Sequence, residues 1–124
     1  MIGYVTLGTN DLERAAAFYD ALLAEIGGKR TWETARGFGW STDEHLPSLG
    51  ILKPFDGHAA SVGNGVMVAI AVDSRDKVER LHRKALALGG TDEGAVGFRG
   101  PGFYAGYFRD LDGNKLGVYC ECED

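Results

Sequence analysis

One pattern occurs twice along this chain. An offset of 63 residues lays Tyr4 on Met67, Val5 on Val68, Leu7 on Ile70 and Arg14 on Lys77. In each copy a strand-like run is followed by a helical run and then by Gly-Gly. Few identities survive, but the order of elements does. Such a repeat constrains the fold strongly, because each copy is one supersecondary unit whose apolar face must be buried against something else.

The first copy opens with IGYVTLG, residues 2–8, where Gly3, Val5 and Leu7 alternate with Ile2, Tyr4 and Thr6. Asn10 followed by Glu13 resembles a capping box. Leu12, Ala15, Tyr19, Leu22, Leu23 and Ile26 then recur at helical spacing, and Gly27-Gly28 supplies the stop. The second copy reads as a strand over Met67–Val72 and a cap at Asp73 or Ser74. Its helix carries Val78, Leu81, Ala85 and Leu88 on one face, and Gly89-Gly90 ends it. Strand-like runs follow each stop: 29–34, 37–41 and 49–53 in the first copy, and 91–96, 103–109 and 115–120 in the second. DLDGN, 110–114, is a hairpin signal between the last two. The expected organisation is one domain over 1–124. It holds two βαβββ units, about 1–53 and 66–122, joined by a linker at 54–65.

Composition agrees. The 19 glycines among 124 residues are about twice the usual share, as frequent turns between short elements require. A net charge of −5 without a basic block argues against nucleic acid and anionic membrane as partners. No apolar run approaches the ~20 residues of a membrane span, and the N-terminus does not read as a signal peptide. Cys120 and Cys122 do not suggest a disulfide framework, so the expected compartment is the cytoplasm and Cys120 is expected as a free core residue.

Two segments carry a resemblance across essentially the whole chain: NDLERAAAFYDALL after the first strand, and YFRDLDGNKLGVY at the end. They are similar to the start and end signatures of the glyoxalase / bleomycin-resistance / extradiol-dioxygenase (vicinal oxygen chelate) superfamily. The resemblance implies an α+β fold. Two βαβββ repeats form a curved, cup-shaped mixed β-sheet with helices outside, and homodimers are common. It also implies a divalent metal held by His or Glu on the first and last strands of each unit. Carried over, those positions fall on Tyr4, Met67, Gly117 and Lys53. None is the expected ligand, and Lys53 would repel a cation. The expectation is no metal at the usual site and no cofactor.

The histidines offer no substitute. His45 lies in a turn, His58 in the linker, and His82 on the expected exposed flank of the second helix. Cys120-x-Cys122 lacks zinc spacing. Asp110 and Asp112 read as turn residues rather than calcium ligands. FRGPGFY, 98–104, reads as a connecting loop, or as a lid carrying Arg99. Strand alternation places Tyr4, Thr6, Met67, Ala69, Ala71, Gly117 and Tyr119 in the cup, with Phe38 or Trp40 as an aromatic wall. The leading expectation is a small-molecule-binding protein whose ligand is aromatic or cationic. The alternatives are a lyase, isomerase or dioxygenase with an atypical metal site or metal-free acid–base chemistry by Tyr4, Lys53 or Tyr119, and a structural dimer with a vestigial cup.

Overall fold

The computed structural model describes residues 1–123. The first unit contains β1 (Tyr4–Gly8), α1 (Leu12–Ala24), β2 (Lys29–Thr34), β3 (Gly37–Ser41) and β4 (Ser48–Leu52). The second contains β5 (Val68–Ala71), α2 (Arg75–Ala87), β6 (Thr91–Gly100), β7 (Phe103–Arg109) and β8 (Lys115–Glu121). Each unit forms one mixed four-stranded sheet, in the orders β1-β4-β3-β2 and β5-β8-β7-β6. The first strand of each unit runs parallel to the last, after the helix has crossed over; the other pairs are antiparallel. No described helix is long and apolar enough to cross a membrane.

Both helices start where a short polar side chain accepts from the first turn. Asp11, one residue after the expected Asn10, accepts from Arg14 N at 3.1 Å, and Ser74 accepts from Lys77 N at 3.2 Å. Asn10 instead ties the linker down through two bonds with Ala60. Gly27 and Gly89 follow the helices with φ of +79° and +100°, backbone that a side chain would strain.

The helices lie on one face of each sheet, and the two helix layers meet. One buried cluster takes Tyr19, Leu22, Trp40 and Ile51 from the first unit and Val78, Leu81, Phe108 and Leu116 from the second, and α1 touches α2. Fully burying a side chain of this size contributes about 1.5–3 kcal/mol. The DLDGN turn locks the junction. Asp110 accepts from Tyr19 Oη at 2.6 Å, from Asn114 N at 2.9 Å and from Asp112 N at 2.9 Å. Asp112 accepts from Thr9 Oγ1 at 2.6 Å, and Asn114 donates to Gly8 O at 2.9 Å. Burial, reinforced by the Asp110 carboxylate, pushes the Tyr19 phenol well above its ordinary pKa, so it stays a donor.

Several expectations change. Met67 and Lys53 lie just outside β5 and β4. The 98–104 segment is neither lid nor open loop: β6 continues to Gly100, and a turn at Pro101-Gly102 leads directly into β7. Cys120 is buried as expected but is bonded to Cys122, with Cα atoms 5.5 Å apart. The chain leaves β8 there, Cys122 N donating to Gly102 O, which brings the two residues within bridging range. His82 is only 7% exposed. It sits between α2 and its sheet, its Nε2 3.1 Å from Asp92 Oδ1 and 3.2 Å from Tyr107 O.

Trp40 is buried against α1, its indole N–H donating to Asp20 Oδ1 at 2.9 Å, while Arg30 grips the same carboxylate at 2.7 and 2.9 Å. The Arg30 hydrogen bond, with help from Trp40, holds the Asp20 carboxyl below its ordinary pKa. A depressed carboxylate stabilises the fold above its unfolded pKa of about 3.9 and loses that contribution as pH falls through its folded value. Asp20→Asn is therefore expected to be less stable than wild type at pH 6, with the gap closing below about pH 4 in urea titrations.

Candidate functional site

The helix-free face of each sheet is turned away from the shared core. On the first unit, strand register gathers Tyr4 and Thr6 from β1 beside Ser48 and Gly50 from β4, then Gly39 from β3 and Trp32 from β2. The Trp32 ring lies over two glycines. A Cβ at Gly39 would run into its Cε2 and Nε1, and one at Gly50 would lie 2.7 Å from its Cη2. Its indole N–H donates to Ser48 Oγ at 2.9 Å, and Tyr4 meets it edge-on at 6.1 Å. Tyr4, Trp32 and Ser48, together with Arg36, Glu44 and Leu46, line an open groove of about 710 Å³.

The second unit repeats this plan. Its open face carries Ala69 and Ala71 from β5, Lys115, Gly117 and Tyr119 from β8, and Ala105 and Tyr107 from β7. Tyr107 packs beside Gly94 and Gly117, where added Cβ atoms would each come within 3.0 Å of its ring. Met67 reaches the same spot, its Sδ 3.5 Å from a Gly117 Cβ. Tyr119 stacks on Phe103 at 5.1 Å and 17°. Arg99 and Lys115 lie at 5.4 and 5.7 Å from the Tyr107 ring centre.

The register places the sequence-predicted residues. Tyr4, Thr6, Met67, Ala69, Ala71, Gly117 and Tyr119 lie on the open faces. Phe38 and Trp40 do not. They occupy the helix side of β3, paired with Ile51 and Leu49 of β4, and Arg30 covers Phe38 at 4.1 Å. The aromatic wall comes instead from Trp32, which the sequence reading missed. A bulge between Arg30 and Trp32 shifts the alternation of β2, and no counting of residues reveals it. Tyr107 was missed as well, although the glycines opposite it were a usable signal.

Register also corrects the fourth metal position. Thr6 faces Gly50 just as Ala69, its repeat mate, faces Gly117. Gly50, rather than Lys53, is thus the counterpart of Gly117, and Lys53 is exposed beyond the end of β4. The four positions therefore hold Tyr4, Gly50, Met67 and Gly117. Two glycines lack any donor side chain, and a Cβ at Gly50 or Gly117 would crowd the ring of Trp32 or Tyr107. This set does not fit the family's metal. Among the described residues no three His, Cys, Asp or Glu side chains come together as a ligand group.

The two faces do not close on each other within one chain. Among the described residues, the outer edge of β1 carries no strand beyond its pairing with β4, and β5 is likewise paired only with β8. Ile2, Tyr4, Val66 and Met67 are exposed along these edges, Tyr4 by 66%.

The glyoxalase/bleomycin resistance protein/dioxygenase superfamily model matches residues 1–118. A glyoxalase/bleomycin resistance protein from Albidiferax ferrireducens T118 is 34% identical, with a TM-score of 0.89 over 97% of this chain and 98% of that one. A lactoylglutathione lyase from Agrobacterium tumefaciens has a TM-score of 0.69 at 20% identity, over 97% of this chain and 92% of that one. The fosfomycin resistance protein FosX from Listeria monocytogenes has a TM-score of 0.72 at 16% identity, over 97% and 92%. The last two share the fold alone. No curated protein matches the sequence.

Proposed function

Because the chain belongs to the glyoxalase/bleomycin resistance protein/dioxygenase superfamily, we propose that it binds a planar small molecule in a cup without the family's usual metal ligands. The cup closes when the open face of the first unit meets the open face of the second unit from another copy. The observation that carries this reading is the matched floor of the two faces. Each is an aromatic ring seated on glycines, Trp32 over Gly39 and Gly50, Tyr107 beside Gly94 and Gly117. Flat rings facing an open space favour a flat ligand, and aromatic pairs gain about 0.5–1.5 kcal/mol beyond the area they bury. The unpaired β1 and β5 edges, with Ile2, Tyr4, Val66 and Met67 exposed, support a second copy as the partner. A homodimer built this way holds two cups.

Two measurements test it. Protein purified without a histidine tag is expected to contain far less than one equivalent of zinc, nickel, manganese or iron; stoichiometric metal would overturn the metal-free reading. Sedimentation is expected to give a dimer, and a library of planar aromatics should contain compounds that raise the melting temperature. A ligand at one hundred times its Kd stabilises by about 2.7 kcal/mol. Ala69 is exposed on the open face directly opposite Gly117. Ala69→Trp should fill the cup and abolish that stabilisation while circular dichroism stays unchanged. Retained affinity in this variant would place the ligand elsewhere.

A further inference from the structure

The charge pattern of the second unit's open face selects among planar ligands. Arg99 runs back along its own strand, donating to Gly97 O at 3.0 Å and to Ala95 O, and still holds unused N–H groups. Lys115 presents an ammonium beside the same Tyr107 ring. Among the described residues neither has a carboxylate within ion-pair distance. The nearby acid is already engaged: Glu93 accepts from Arg109 Nε at 2.7 Å. That hydrogen bond first, and the Lys115 charge as well, hold its carboxyl below the ordinary range. A chain of net charge −5 thus keeps two cations outside any ion pair, among the described residues, around the ring that forms one wall of the cup.

Resting on the cup proposed above, we infer that the ligand is a planar aromatic anion, a carboxylate or similar oxyanion, whose ring lies against Tyr107 and whose charge is met by Arg99 and Lys115. A cationic aromatic, the other class the sequence allows, would meet two like charges at this wall. Arg99 on β6 can hold two oxygens of a planar oxyanion in one fork, and Lys115 adds a point charge from β8, on the other side of the β7 strand that carries Tyr107.

Three probes of one shape separate the possibilities: 2-naphthoate, 2-naphthamide and 2-naphthylmethylammonium, measured by calorimetry on the intact protein. Naphthoate should bind at least about tenfold more tightly than the amide, a difference of the size expected for charge-assisted hydrogen bonds. The ammonium should bind most weakly. Raising salt should weaken naphthoate and leave the amide unmoved. Arg99→Gln and Lys115→Gln should each bring naphthoate towards the amide's affinity, weakening naphthoate by more than the amide. If either variant fails to fold, the probe ranking and salt response of the wild type still decide. An amide or ammonium that binds as tightly as naphthoate, and is lost in Ala69→Trp, would overturn the anion and leave the cup standing. Absence of binding by all three would overturn both.

Discussion

Asp110→Ala is expected to be the most damaging single substitution in this protein, lowering stability by about 3–5 kcal/mol. The Asp110 carboxylate is buried and takes hydrogen bonds from the Tyr19 phenol, the Asp112 and Asn114 backbone and the Asn114 side-chain amide. Removing it strands those donors where water cannot easily replace the lost acceptor. It also releases the turn that Thr9 and Gly8 clasp from the other unit. Tyr19→Phe deletes only one donor and should cost about 1–2 kcal/mol. Urea unfolding checks both. The alanine variant should show a much lower midpoint, and a second transition would reveal the two units parting. An alanine midpoint no lower than that of Tyr19→Phe would show that the carboxylate is not the pin between the units.

Gly39→Ala should have the largest effect on the open face. The new methyl would fall inside the Trp32 ring, so the ring must leave its seat. The lost packing and the broken bond to Ser48 should cost about 1–3 kcal/mol. The protein has two tryptophans. Trp40 is 1% exposed and stays buried behind the sheet, so a red shift in emission reports Trp32 alone. Any aromatic ligand should bind about two- to tenfold more weakly, since a stacking partner worth about 0.5–1.5 kcal/mol has moved. An unshifted spectrum would mean that Trp32 tolerates the methyl and that the glycine is not its seat.

Much of the fold was legible in the sequence for physical reasons. The 63-residue offset, the two Gly-Gly stops and the DLDGN turn each reflect a backbone requirement that few residues satisfy, and each marks a real boundary. The open-face residues of β1, β5 and β8 followed from plain alternation, because those strands carry no bulge. Alternation cannot place β2, where the bulge after Arg30 turns Trp32 outward; Phe38 and Trp40, offered as the wall pending the register of β3, lie on its helix side. His82 looked exposed because its helix is rich in charge; its burial depends on Gly106 opposite, which leaves room for the imidazole against the sheet. The Cys120–Cys122 bond depends on how the chain leaves β8, which no pattern of residues encodes. The correspondence of Gly50 to Gly117 across the repeat becomes visible only through strand register.

The glycine-seated rings bear on how this protein could change over evolutionary time. A side chain at position 117 would crowd Tyr107, whose ring atoms lie 3.0 Å from the new Cβ, and one at position 50 would have to displace Trp32. Losing either ring first would leave bare glycine backbone where the ring had packed. Neither order of steps passes through an intermediate as well packed as the present one, so the two substitutions are coupled rather than additive. Each ring and its glycine therefore act as a ratchet, holding the pair together in the lineage.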